Sequence, residues 1–131
     1  MKIPCEVVVW YVLPIIRREV ASELVNVHGM TQAEVARKFG VTDAAISQYI
    51  KKKRGGNTEL EQSPSYPKLM EAVRESAQSL ADSKTEIEYE LCKLCNTVRT
   101  IGLLDEIYRR QVGSEPVTCA NIGGFYKVTE E

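Results

Sequence analysis

The chain has a single histidine, no Gly-rich phosphate loop, no nucleophile motif and no pair of carboxylates in a catalytic setting. Those absences point away from an enzyme, because proton-transfer, phosphoryl-transfer and acyl-transfer sites are each built on such groupings. A run long enough to cross a membrane is lacking too. Val7 to Ile16 is apolar but only about half the length of a spanning helix. It contains Pro14 and is followed, not preceded, by the basic pair Arg17-Arg18. An export signal has the opposite polarity, so the expectation is a cytoplasmic protein without a membrane segment. In that reducing compartment four cysteines do not imply disulfides. There is no excess of charge either: the net is −1, which argues against a protein that coats nucleic acid indiscriminately. No internal repeat is present. What remains is a chain of 131 residues, 44% hydrophobic, enough for one domain or a small domain with an extension.

The strongest local signal is TQAEVARKFGVTDAAISQYIKKKR, residues 31–54. Thr31 with Glu34 three residues later is a capping box, in which each side chain satisfies a backbone N–H that the first helical turn leaves free. Val35, Ala36 and Phe39 then form an apolar stripe at helical spacing. Gly40 stands where a tight turn needs positive φ, with Val41 beside it as an apolar plug. Thr42 is the N-cap of a second helix, which runs from Asp43 to about Lys53 and stops at Gly55-Gly56. Small Ala36 permits a close helix crossing. The pattern is a helix-turn-helix.

On the second helix, Ile46, Tyr49 and Ile50 share one face, while Ala44, Ser47, Gln48 and Lys51 share the other. The outer face is short, polar and uncharged until Lys51, as the floor of a DNA major groove requires. Gln48 can pair with adenine through two hydrogen bonds, Ala44 can touch a thymine methyl, Ser47 can reach several base edges, and Asp43 can accept from cytosine. Gln32 and Thr42, at the two helix starts, and the run Lys51-Lys52-Lys53-Arg54 lie where phosphates would run. The charge distribution agrees: residues 1–30 are neutral, residues 31–54 carry +4 and residues 55–131 carry −5. Positive charge is therefore concentrated on the DNA-reading segment.

Before this segment, the apolar run from Cys5 to Leu13 is compatible with a buried helix or a strand. Pro14 is read as the first residue of a support helix in which Ile16, Val20, Leu24 and Val27 line one side, ended by His28-Gly29. Residues 57–66 read as a linker between a DNA-binding unit, 1–56, and a second helical region, 67–131. In the latter, Leu69, Met70, Val73, Ala77 and Leu80 form one stripe after Pro67. Thr85 and Glu88 form a second capping box, opening a helix with Ile87, Leu91, Leu94, Val98 and Ile101 on a narrow, nearly heptad seam. Such a seam is expected to serve a homodimer. Gly102 breaks the pattern, a short helix follows from Leu103 to Gln111, and the tail from Val112 is weakly patterned.

The second constellation is Cys5, Cys92, Cys95 and Cys119. Cys92 and Cys95 project from nearly one side of a helix. A thioredoxin-like pair belongs in a βαβ setting that is absent here. Zinc usually takes two such pairs, whereas an iron–sulfur cluster tolerates widely separated thiolates and an unusual fourth ligand. From the residues alone, inert thiols, a cluster and zinc all stay open.

Through TQAEVARKFGVTDAAISQY the chain resembles the lambda-repressor-like helix-turn-helix regulators. More closely, it is similar to a group of small archaeal regulators, through PCEVVV, LPIIRREVASELV, SQYIKKKRGG and LCKLCNTVRTIGLL. That resemblance spans most of residues 3–104. It implies an iron–sulfur-responsive regulator in which Cys5, Cys92 and Cys95 are cluster ligands. The sequence departs at the fourth ligand, with Asp105 where the family has cysteine; Asp105, a harder and poorer ligand, or Cys119 would fill that place. The expected protein is all-α: a lambda-repressor-like helix-turn-helix followed by amphipathic helices that form a dimerisation and cluster region. It would bind a pseudo-palindromic double-stranded DNA operator as a homodimer. A zinc-stabilised or metal-free repressor, or an antitoxin-like protein-interaction module, is the alternative.

Overall fold

A computed structural model of the chain describes residues 4–55 and 61–113; of Pro4, Cys5, residues 53–55 and Val112 only the backbone is described. Every regular element among the described residues is helical. The chain start, which periodicity left between helix and strand, is a helical rod. It comprises α1 (Pro4–Val7), a π-helical turn (Val8–Val12) and α2 (Leu13–Asn26). Pro14 does not restart the chain; the rod already runs into it. A proline inside a helix has no N–H to donate, and its ring crowds the carbonyl four residues earlier. The π turn lies just before that point, with the Leu13 N–H reaching back five residues to the Val8 carbonyl. Widened turns of this kind let a helix absorb such a local mismatch.

The helix-turn-helix follows as α3 (Gln32–Phe39) and α4 (Asp43–Gly55), and the second region supplies α5 (Tyr66–Ala81), α6 (Ile87–Thr100) and α7 (Leu103–Val112). Helix α2 is the shared support. It packs against α3 and α4 on the DNA-reading side and against α5 and α6 on the other. Ile16, Val20 and Leu24 are fully buried along it. Val27 is not part of that stripe, being 66% exposed where α2 ends. Beyond it Gly29 turns the chain at φ +67°.

The apolar stripes of α5 and α6 are both used inside the monomer. Leu69, Val73, Ala77 and Leu80 of α5 meet Ile87, Leu94 and Val98 of α6 in one core with α2. The α6 seam, expected to face a second chain, is therefore covered by the protein's own helices. The Thr85–Glu88 capping box does not form either. Helix α6 starts at Ile87 with extended Glu86 as its cap residue and no side-chain cap bond, and the Thr85 hydroxyl is buried without a partner. Helix α7 closes the bundle: Leu103, Leu104, Ile107 and Tyr108 are buried, and α1 and the π turn pack against it. The approach to α5 is fastened to this end, where the Ser63 hydroxyl donates to Glu106 (2.6 Å) and the Ser65 hydroxyl donates to the Ile101 carbonyl (3.0 Å).

Two stripes include an acid. Glu19 stands three residues after Ile16, and Glu90 three after Ile87; both are essentially inaccessible to solvent. Glu19 is held across the core. The Tyr66 hydroxyl donates to its Oε2, and Arg18 Nη2 donates to the same oxygen (3.2 Å) and to the Tyr66 oxygen (3.4 Å). Burial and the Glu19 carboxylate push the Tyr66 phenol well above its usual range, against the opposing influence of Arg18. Glu90 has Lys93 Nζ 4.0 Å from its Oε1. The Arg18–Glu19–Tyr66 group thus ties the support helix to the first turn of α5.

Candidate nucleic-acid interface

Local chemistry shapes the reading element as its residue types require. The Thr31 N–H donates to Glu34 Oε1 (2.9 Å) and the Glu34 N–H donates to Thr31 Oγ1 (3.1 Å), closing the capping box at the start of α3. These contacts hold the Glu34 carboxyl below the usual range; the Thr31 backbone N–H is the largest cause, its side chain the next. Helix α3 ends at Gly40, which is left-handed at φ +68°. The Val41 N–H then returns to the Ala36 carbonyl (3.0 Å). Any side chain at that φ is strained, which is why the turn needs glycine. Thr42 Oγ1 accepts from the Ala45 N–H (3.1 Å) and caps α4. Val41 is not the plug its position suggested. At 37% exposed it sits at the rim of the turn, and Val35, Ala36, Ile46 and Ile50 fill the crossing beneath it.

The two faces of α4 separate as the helical period demands. Ile46 and Ile50 are buried and Tyr49 packs on the core. Asp43, Ala44, Gln48, Lys51 and Lys52 are exposed and Ser47 is half-buried. Gln32 and Thr42 are exposed at the starts of α3 and α4. The structure therefore brings Gln32, Thr42, Asp43, Ala44, Ser47, Gln48, Lys51 and Lys52 to the solvent side of one helix pair. The side chains of Lys53 and Arg54 lie outside the described residues. Arg37 and Lys38, also basic, line a separate open cleft with Met30, Ala81 and Ser83. Lys38 Nζ donates there to Ser83 Oγ (3.3 Å).

The cysteine constellation is described only in part. Cys92 is exposed and Cys95 half-buried, one turn apart on α6 with both thiols free. Asp105 is half-buried in the first turn of α7. Among the described residues no three His, Cys, Asp or Glu side chains converge on a metal position. The Cys5 side chain and all of Cys119 lie outside the described residues. The backbone nevertheless carries Cys5 on α1, which packs against α7. Two thiols on α6, with Cys5 on an element that packs against α7, are sulfur donors of the type a cluster takes but do not complete its set.

Sequence reasoning missed the Arg18–Glu19–Tyr66 group. A signal for it existed: Glu19 falls on the same helical stripe as Ile16, where an acid is tolerated only if a partner reaches it.

Residues 26–55 match the helix-turn-helix family model. No curated protein and no solved structure matches the chain. The matched segment runs from the end of α2 through α4, the same elements that carry the capping box, the left-handed Gly40 and the exposed face of α4. Fold and match agree: the described residues are all-α, and residues 26–55 form a lambda-repressor-like helix-turn-helix, a DNA-binding module. Among the described residues no helix is long and apolar enough to cross a membrane.

Proposed function

We propose that this chain is a sequence-specific transcription regulator that places α4 in the major groove of a pseudo-palindromic DNA operator as a homodimer. The observation that carries the reading is the outer face of α4, where Ala44 and Gln48 are exposed, Ser47 is half-exposed, and no charge intervenes before Lys51. Uncharged, short and hydrogen-bonding groups suit base edges, whereas cations at the rim suit phosphates. In this reading Gln48 pairs with adenine, Ala44 meets a thymine methyl, Ser47 and Asp43 serve neighbouring bases, and Gln32, Thr42 and the Lys51–Arg54 run hold the backbone. Two copies would read half-sites with centres about 34 Å apart.

The finer part of the proposal concerns when the protein reads. Cys92 and Cys95, with Cys5 from the packed chain start and Asp105 or Cys119 as a fourth group, would hold an iron–sulfur cluster. Bound there, a cluster would supply a redox- or iron-dependent tie between α6 and the start of the rod. Cys5 begins the same continuous rod that becomes α2, and α2 supports α4. A displacement at that end therefore has a path of packed helix to the reading face. A coupling of about 1–3 kcal/mol suffices to alter affinity about 5–150-fold.

Binding of the full-length protein to DNA from its own upstream region, and to a randomised pool, tests the first part. Gln48→Ala should relax discrimination at one base position by about 1–3 kcal/mol and leave nonspecific binding intact. Failure to retard any duplex would favour a protein-interaction or antitoxin-like module. Iron, sulfide and zinc assays on anaerobically purified protein test the second part. Stoichiometric zinc, or no metal, would remove the cluster.

A further inference from the structure

Cys92 and Cys95 carry a chemistry that two sulfurs complete by themselves. They stand three residues apart on α6, Cys92 exposed and Cys95 half-buried against the core, both as free thiols. Helical side chains lean toward the N-terminus, so the Cys95 side chain lies over the turn that starts at Cys92. Helix geometry sets their Cα atoms about 5 Å apart, inside the range of about 4.4–6.8 Å that a disulfide spans. Their Cβ atoms, about 5–6 Å apart in a regular helix, must close to about 3.5–4.5 Å, so the bond forms only if this turn gives way by about 1–2 Å. We propose that Cys92 and Cys95 are a reversible dithiol–disulfide switch, whose oxidation by a small-molecule disulfide distorts the middle of α6. The switch goes beyond the cluster reading and needs no metal. Once oxidised, the pair has no thiolate to offer one.

Two features fit this turn to yield. The Thr97 hydroxyl donates back to the carbonyl of Lys93, a residue between the two cysteines (3.1 Å), and such back-bonds bend and weaken a helix. Asn96 Oδ1, next to Cys95, is buried without a partner, so opening the turn would hydrate a polar atom that the closed turn leaves uncompensated. The other side of the helix resists, because Leu94 and Val98 are buried in the core. A bond strained in this way belongs to the readily reduced, regulatory kind of disulfide, and its distortion reaches α2, on which α6 packs and which supports α4. Oxidation is a two-step exchange. The exposed Cys92 thiolate attacks one sulfur of the small disulfide, forming a mixed disulfide and releasing one small thiol. The Cys95 thiolate then attacks the Cys92 sulfur, and the second small thiol leaves. Two electrons and the two thiol protons pass to the small molecule.

Trypsin cuts after Lys84, Lys93 and Arg99, and so places Cys92 and Cys95 on separate peptides, residues 85–93 and 94–99. The full chain, freed of metal with a chelator, is equilibrated across a series of glutathione to glutathione disulfide ratios, quenched in acid, alkylated and digested without reduction. Mass spectrometry should find the two peptides joined as one species in oxidising buffer and separate in reducing buffer. Cys95→Ser should stop at a glutathione adduct on Cys92. In concentrated urea, where no helix resists closure, the bond should form at a ratio about tenfold or more less oxidising than in the folded protein. By the same linkage the oxidised protein should melt below the reduced one. Thiols that stay free in oxidising buffer, a Cys92 adduct that Cys95 does not resolve, or pairing with Cys5 or Cys119 instead would each overturn the proposal. Equal midpoints in buffer and in urea would show that α6 does not respond to the bond and would overturn it as well.

Discussion

Replacing Tyr66 by phenylalanine removes one oxygen from the protein and should cost more than its size suggests. That oxygen donates to Glu19 and accepts from Arg18 (3.4 Å), and all three residues are at most 7% exposed. A hydrogen bond to a buried charged group is worth about 1.5–3 kcal/mol, because losing it leaves the partner without water to replace it. Arg18 still reaches Glu19 in the variant, so the middle of that range, about 2 kcal/mol, is the expected loss. For a chain of this length it corresponds to a fall in Tm of about 6–10 °C. Urea denaturation should show a lower midpoint at unchanged slope, since the surface exposed on unfolding is the same. The pH dependence separates the hydrogen bond from mere packing. The folded protein holds the Tyr66 proton above the phenol's ordinary value of 10.0. The stability it contributes is therefore complete below about pH 10 and declines as pH rises further, because the unfolded chain releases a proton that the folded chain keeps. Tyr66→Phe has no such proton, so the two stability curves should converge in alkali. A Tm within one degree of wild type at neutral pH, or curves that stay parallel above about pH 10, would refute the argument.

Two further outcomes follow from the reading element. Thr31→Ala should destabilise the protein by about 1 kcal/mol through loss of the α3 cap. The cap also depends on acid: the Glu34 carboxyl is held below its ordinary value, so its contribution is present above that value and lost as pH falls through the lowered one. Glu34→Ala removes that carboxyl, so chemical denaturation at neutral and acid pH should show the wild type and Glu34→Ala drawing together in acid. Lys51→Ala, at an exposed position, should weaken binding to all duplexes alike and lower the slope of log K against log salt by about one; filter binding across a salt series measures it, and a sequence-dependent loss would make Lys51 a base reader instead.

What the sequence by itself determined was local. The capping box of Thr31 and Glu34, the left-handed Gly40, the Thr42 cap and the division of α4 into an Ile46–Ile50 face and an Ala44–Gln48 face rest on contacts within four residues. Such contacts are specified by residue type and helical period whatever surrounds them. The Thr85–Glu88 pair shows the limit of that rule: the same box pattern stays unformed where the α5–α6 turn delivers the chain to its helix one residue later, at Glu86. The tertiary structure alone decided which apolar surface is covered and by what. The α6 seam has the same pattern whether it meets a second chain or α5 and α2, because periodicity gives the direction of a stripe and not its partner. Val41 and Trp10 read as buried from their types and are exposed because none of the described helices passes over them. Glu19 meets Tyr66 across 47 residues of sequence, a pairing that exists only once α2 and α5 are packed, since burying the carboxylate requires a donor that no residue near it in the chain supplies in full.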